Sequence, residues 1–401
     1  MVKKGYKQTE VGVVPKEWSV MTLRDIADFL GGGTPSKSIA EYWNGDIPWI
    51  SSSDISLNSV HGLNITRYIT GQAVKESSTQ LCPRNAILIV TRVGVVKIAI
   101  APTNICTSQD FTNIVLRQDN VEYVARALQP VFYCMSNETQ GTSIKGVTTD
   151  EVKNTSIALP PIKEQEQIAT VLSEIDELIS LTEKQISKKK AIKQGAMQEL
   201  LTGKRRLPGF AGEWKICRLD EIADFPTATI STDQFDNRFY VGTDNMIAYK
   251  GDVKYNELPL IYPKVRQYQT EDIILSNIRP YLQKIWYATR NGGCSNDVLV
   301  IRKKDGHAVE PKFLYYQLSR DGFYDEIMAN AVGTKMPRGD KAIVKSYRIN
   351  MPSDTAEQKA IASILSDADA EIKAMEEKLA KYRQIKQGMM QQLLTGKIRL
   401  V

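Results

Sequence analysis

A long segment of this chain is written twice, and that repeat limits its architecture more than any other feature. Residues 164–207 align on 357–400 without a gap at an offset of 193, with 23 identities in 44 positions. Within it, Ile168-Ala169 matches Ile361-Ala362, Lys193-Gln194-Gly195 matches Lys386-Gln387-Gly388, and Leu200-Leu201-Thr202-Gly203-Lys204 matches Leu393-Leu394-Thr395-Gly396-Lys397. Shorter matches lie at the start of each half. Glu17-Trp18 and Ile26-Ala27-Asp28-Phe29 recur as Glu213-Trp214 and Ile222-Ala223-Asp224-Phe225. A third pair, Gly141-Thr142 with Val152-Lys153 against Gly333-Thr334 with Val344-Lys345, precedes each long repeat. Between these anchors the halves differ. Each half is a shared frame around a private insert, roughly 30–158 and 226–350. Internal repetition on this scale means one structural unit built twice.

The long repeats read as helices. In the second, Ile361, Leu365, Ala368, Ile372, Met375, Leu379 and Tyr382 are spaced 4, 3, 4, 3, 4, 3, the seam of a helix that packs on a partner helix. The first holds Ile168, Leu172, Ile175, Ile179, Thr182, Ile186 and Lys189 at the same positions, a seam that weakens toward the middle. Pro160-Pro161 and Pro352 mark the starts, and Gly203 and Gly396 mark the stops. Gly195 and Gly388, inside the pattern, suggest a bend or a close helix contact. From Asp367 to Glu377 there are five acids and one base, and from Lys378 to Arg399 six bases and no acid; the first copy follows the same trend. Such polarity suits the helix dipole. It also suits an antiparallel pair, in which the acidic half of each helix lies along the basic half of the other. Each helix of about 38 residues would reach roughly 57 Å. Two different readers related by a pseudo-twofold axis would then be held apart as two half-site readers are on DNA, by at most roughly 17 base pairs.

The inserts carry polar and basic loops. The first opens with Gly31-Gly32-Gly33-Thr34-Pro35-Ser36-Lys37-Ser38, a near miss to a phosphate-binding loop because Ser36 stands where the second glycine is required. Thr34, Ser36 and Lys37 are therefore read as a flexible loop close to DNA phosphates, with an inert surface loop as the alternative. Arg92 and Lys97 in the first insert, and Arg279 and Lys284 in the second, share the spacing Arg, four residues, Lys-Ile. This points to one fold with two different surfaces. Gln109 and Asn296 follow in polar segments, and Asn277 and Tyr281 flank Arg279. Arg, Lys, Asn and Gln are the residues that read base edges, whereas Ser, Thr and backbone amides hold phosphates. Lys145, Lys335 and Arg338 sit in glycine-bounded basic loops near the end of each insert.

Catalytic sets are missing from the sequence. No glycine-rich nucleotide loop follows a strand, and Glu151-Val152-Lys153 lacks the rest of a nuclease motif. Five cysteines without a CxxC pair and two histidines leave no zinc spacing. No metal or cofactor is expected in this chain. The first residues lack the apolar core of a signal peptide, no apolar run is long enough for a membrane helix, and the expected compartment is the cytoplasm. The net charge of +6 permits a polyanionic partner without demanding one. A coiled-coil scaffold without DNA readout is the alternative function. A nucleotide hydrolase using Gly31–Ser38 is a third reading.

These features together resemble the specificity subunits of type I restriction–modification systems. The resemblance rests on Tyr6-Lys7-Gln8-Thr9-Glu10-Val11-Gly12 with Pro15-Lys16-Glu17-Trp18, on Gly32-Gly33-Thr34-Pro35 with Glu41-Tyr42-Trp43 and Asp46-Ile47-Pro48-Trp49, on the run Pro160–Ala169, and on the two Leu-Leu-Thr-Gly-Lys ends. It implies an α+β chain with two globular target recognition domains, 1–158 and 208–350. Conserved helical regions 159–207 and 351–401 would join them as a long antiparallel coiled-coil pair. It further implies a non-catalytic reader of a bipartite, asymmetric site in double-stranded DNA. Two methyltransferase subunits would methylate adenine with S-adenosylmethionine, and translocase–nuclease subunits would use ATP and Mg. All of those ligands would be held by the partners.

Overall fold

A computed structural model describes residues 4–57, 59–92, 97–138, 146–249, 251–331, 333 and 336–400. The chain forms two compact units, Met1–Glu183 with Glu377–Val401, and Lys184–Glu376. The four segments expected from the sequence are distributed over these two units, because each long helix crosses the boundary. Both units are α+β.

The first unit contains two four-stranded sheets. One is antiparallel, in the order Ala27–Gly31, Phe111–Leu116, Ile87–Val90, Ile98–Ile100. The other runs Arg67–Ile69, Ile47–Ile50, Ile105–Thr107, Leu81–Cys82, with Ile47–Ile50 and Ile105–Thr107 parallel. The second unit repeats the plan. Its antiparallel sheet is Ala223–Asp224, Val298–Lys303, Ile273–Ser276, Ile285–Tyr287. Its second sheet is Thr229–Ser231, Lys264–Tyr268, Gly292–Cys294, Tyr240–Val241, again with one parallel pair, Tyr240–Val241 beside Gly292–Cys294. Three strands of this sheet correspond between units. The fourth is added on opposite edges, outside Ile47–Ile50 in the first unit and outside Lys264–Tyr268 in the second. The shared fold expected of the inserts is thus present, with the difference at the edge.

Side-chain alternation explains the layering. Ile87 and Ile89 face a core shared with Tyr123, Leu128, Ile168 and Leu172, whereas Leu88 and Val90 face the second sheet through Ile50, Cys82 and Ile105. Ile273 and Leu275 likewise face Phe313, Ile361 and Leu365, while Ile274 faces Tyr268, Cys294 and Val241. Successive residues of a strand point to opposite faces. A strand apolar at every position must therefore be covered on both sides, here by a sheet and by helices.

The long helices are Ile162–Leu200 and Thr355–Leu393, as the proline and glycine signals predict. Gly203 (φ +75) and Gly396 (φ +67) end them in the left-handed region, and the rings of Trp214 and Trp18 lie against them. Acidic and basic halves of the two helices face each other in both units. In the first unit Lys386 pairs with Asp176 at 2.6 Å and Arg383 with Glu183 at 2.7 Å. In the second, Lys193 pairs with Asp369 at 2.5 Å, Lys189 with Glu371 at 2.6 Å and Lys190 with Glu376 at 2.6 Å. Within each unit the helix segments run antiparallel. The seam is buried where expected: Ile168, Leu172 and Ile175, and Ile361, Leu365, Ile372 and Leu379, while Ile179 is half-buried. Its ends also pack on the globular part, which a pure coiled coil does not do. Thr182, the weak point, is buried with its hydroxyl donating to the Leu178 carbonyl at 2.7 Å. A Cβ at Gly195 or Gly388 would meet nothing within 4 Å, so neither glycine marks a close helix contact. Ile372→Asp puts an unpaired carboxylate into this seam. It is expected to cost roughly 3 kcal/mol and to lower the melting temperature of the second unit by roughly 6–12 °C. An unchanged melting curve contradicts the paired-helix account.

The repeated Glu-Gln at 164–165 and 357–358 has a structural reason. Glu164 is buried and accepts both nitrogens of a fork from Arg399 (2.6 and 2.9 Å) and the indole N–H of Trp18 at 3.1 Å. Glu357 is buried and accepts the same fork from Arg206 (2.6 and 2.8 Å). Gln165 and Gln358 each donate to the carbonyl of the preceding proline, Pro160 at 2.9 Å and Pro352 at 2.8 Å, and each accepts a loop N–H, from Asn120 and from Glu310. Among the described residues no helix is long and apolar enough to cross a membrane.

Candidate nucleic-acid interface

In each unit three separated segments converge beside the antiparallel sheet. In the first, Val90 N–H donates to the Lys97 carbonyl at 3.0 Å and closes a hairpin between Ile87–Val90 and Ile98–Ile100. Thr91 N–H donates to the Asp110 carbonyl at 2.7 Å, and Val147 N–H donates to the Thr91 carbonyl at 2.7 Å. The end of the first hairpin strand at Thr91, the turn before Phe111 and the segment at Val147 are thereby tied together. The second unit repeats all three bonds. Ser276 N–H donates to Lys284 O (2.9 Å), Asn277 N–H to Asp297 O (2.9 Å) and Gly339 N–H to Asn277 O (3.0 Å).

Most of the residues picked from the sequence fall on these loops. Arg92 and Gln109 are exposed in the first unit, and Arg279, Tyr281, Asn296 and Arg338 in the second. Arg338 lies 3.4 Å from Asp297, so its charge is partly balanced within the site. Asn277 is half-buried, and its backbone is the hub of the three segments. Lys145 and Lys335 lie outside the described residues, as do 93–96 of the first hairpin loop.

Lys97 and Lys284 have a different first role. The Lys97 ammonium donates to the Ser52 carbonyl at 2.9 Å, and the Lys284 ammonium to the Thr243 carbonyl at 2.6 Å. Ser52 and Thr243 each lie two residues beyond the end of the strand in the parallel pair, Ile50 and Val241. The shared spacing therefore marks a repeated clamp, which locks the hairpin base to the loop of the neighbouring sheet. Sequence reasoning missed this because the acceptors are backbone carbonyls, which carry no side-chain signal.

The glycines of the Gly-Gly-Thr-Pro loop, expected to be flexible, are packed against neighbouring backbone. Gly33 N–H donates to Thr107 O at 2.8 Å, and its carbonyl accepts Trp49 Nε1 at 2.9 Å. Trp43 Nε1 donates to Ser36 O at 3.1 Å. A Cβ on Gly32 would lie 1.8 Å from the Ser108 carbonyl oxygen, and one on Gly33 2.3 Å from Thr79 N. These glycines let two backbones touch. Thr34 hydrogen-bonds Gln109, which joins this loop to the cluster, while Ser36 and Lys37 stay exposed. The first domain thus has four segments at its candidate face.

Burial pushes the Cys82 and Cys294 thiols up to about 12 and that of Cys106 up to about 11. All three stay protonated at neutral pH and are poor nucleophiles.

A domain built twice, each copy presenting tied polar loops of different sequence, defines a tandem recognition protein. The family model for the type I restriction modification DNA specificity domain matches residues 15–190 and again 211–383. The chain belongs to that family and carries its domain twice. It is 37% identical over 187 residues to the type I restriction enzyme MjaIX specificity subunit of Methanocaldococcus jannaschii, covering 45% of this chain and 43% of that one. It is 33% identical over 187 residues to the EcoR124I/EcoR124II specificity subunit of Escherichia coli, covering 44% of each. The chain thus spans less than half the length of these two relatives at that likeness. Against the MjaVIII specificity subunit of M. jannaschii it is 24% identical over 429 residues, covering 96% of this chain and 94% of that one. Its fold is also that of the type I restriction–modification S subunit from M. genitalium, with a TM-score of 0.61 at 13% identity over 94% of this chain and 96% of that one.

Proposed function

We propose that this chain is the DNA-reading subunit of a type I restriction–modification complex. Each domain reads one half of a bipartite, asymmetric site in double-stranded DNA. The long helices act as the spacer and as the dock for two methyltransferase subunits. Adenine methylation uses S-adenosylmethionine held by those partners, and cleavage of unmodified DNA uses ATP and Mg in translocase–nuclease subunits. The chain itself is non-catalytic and works in the cytoplasm.

The observation that carries this reading is the duplicated loop cluster. The same three backbone bonds assemble the same three segments in both units, yet the exposed side chains differ. A scaffold built only for assembly gives no reason to keep the frame and vary the loops. Two readers of two sequences give that reason, since phosphate contacts position and base contacts specify. The modest charge of +6 fits weak binding by the chain alone, with partners completing the grip.

The test is selection from a pool of random duplexes by the chain complexed with a methyltransferase subunit. The expected outcome is enrichment of two short motifs at a fixed spacing. Enrichment of none, from a complex that is intact, contradicts DNA reading and favours a scaffold.

A further inference from the structure

Five non-glycine residues among the described ones have backbone in the left-handed region: Asn85, Tyr249, Glu271, Arg279 and Gln283. Three of them meet at one place in the second unit. Arg279 (φ 50) and Gln283 (φ 47) flank the short turn Pro280–Leu282, and Tyr249 (φ 60) lies against it. An L residue is disfavoured there by contact between Cβ and carbonyl oxygen, and it persists only where its surroundings over-determine it.

The surroundings do so. Arg279 N–H donates to the Pro337 carbonyl at 2.8 Å, and Gln283 N–H to the Pro280 carbonyl at 2.8 Å. The Tyr249 hydroxyl donates to the Tyr281 carbonyl at 2.7 Å. The Gln283 amide donates to Asp321 at 3.0 Å, and the other oxygen of Asp321 accepts Gln194 Nε2 of the first long helix, also at 3.0 Å. Pro280 is buried under the turn. Against this fixed backbone, the side chains of Arg279 and Tyr281 are exposed. The Arg279 guanidinium has no hydrogen bond or ion pair among the described residues.

We propose that the turn 279–283 is the base-reading element of the second domain, and that Arg279 is its specificity-determining residue. This rests on the DNA-reading function above. Its target is a guanine in the second half-site. The guanidinium presents two parallel N–H donors, which match the O6 and N7 acceptors of guanine in the major groove. Tyr249 and Asp321 are positioning residues. They hold the backbone in the conformation that projects Arg279, so that little ordering remains to be done on binding.

The test is co-expression of the full chain with its methyltransferase subunit, followed by single-molecule sequencing of the methylated DNA. The wild-type motif is expected to hold a guanine in the half supplied by the second domain. Arg279→Ala is expected to lower discrimination at that guanine by roughly ten- to a hundredfold and to leave the first half unchanged. Tyr249→Phe, which removes only the hydroxyl bond to the Tyr281 carbonyl, is expected to relax the same position by a smaller factor without lowering the melting temperature. If Arg279→Ala does not fold, Arg279→Gly removes the side chain and relieves the backbone, with the same expectation. A second half without guanine, or a folded Arg279→Ala protein with an unaltered motif, overturns the inference. So does a loss of methylation that is uniform over all sequences, as a merely structural role would give. A wild-type complex that marks no bipartite motif overturns the DNA-reading function itself.

Discussion

Arg206→Ala is expected to cost the second unit about 3–5 kcal/mol. Glu357 is fully buried, and Arg206 supplies both of its charge-assisted bonds, at 2.6 and 2.8 Å. Without the arginine an ionised carboxylate is left in the core with no counter-charge. Glu357→Ala is expected to cost less, because the Arg206 side chain is 29% exposed and its guanidinium can return to water. Replacing both, as R206M with E357L, is expected to recover most of the loss, since an apolar pair carries no desolvation cost. Urea melts of wild type, R206M, E357L and the double variant form a double-mutant cycle that isolates the coupling. The pair belongs to the frame and not to the insert. The folded fraction of the Arg206→Ala protein is therefore expected to keep the wild-type target. A double variant no more stable than Arg206→Ala, or a single variant within about 1 kcal/mol of wild type, contradicts this account. Arg399 and Glu164 make the matching test in the first unit, where the Trp18 indole N–H also depends on the carboxylate.

Exchange of residues 30–158 for the corresponding insert of a relative is expected to replace one half of the methylated sequence and leave the other half as it was. The physical ground is that each loop cluster is assembled by bonds within its own unit. In the first unit, the Lys97 clamp on Ser52 and the threading of Gly32 past Ser108 lie wholly inside the exchanged segment. The frame contacts, Trp18 with Glu164 and Arg399, lie outside it. The exchanged insert thus brings its own loop-positioning contacts and meets an unchanged frame. A change in both halves, or in neither, contradicts modular reading.

The repeat made the frame legible from sequence. Glu164 and Glu357, Gln165 and Gln358, Asp176 and Asp369, and Arg206 and Arg399 recur at one offset, and each pair occupies corresponding places in its unit. Charge polarity gave the direction of the helix segments, because ion pairing between facing helices depends only on order along the chain. The candidate face was legible in part. Arg92, Gln109, Arg279, Asn296 and Arg338 were picked by residue type and position, and the fold brings them to the converging loops of their own units. What holds the face together was not legible. Lys97, Lys284, Gly33 and Asn277 act through backbone atoms of segments far away in sequence, and backbone carbonyls leave no mark on composition. Gly32 and Gly33 resembled a phosphate loop for the same reason: the sequence shows that a backbone needs room, but not whether protein or ligand occupies it.

The most direct measurement is single-molecule sequencing of DNA methylated in cells that express this chain with a methyltransferase subunit from the same genome. The account predicts a bipartite, asymmetric motif with adenine marked in each half and a spacer of fixed length. A stable complex that leaves DNA unmarked, or marks a single undivided motif, contradicts the claim that two readers in one chain each recognise half of the target.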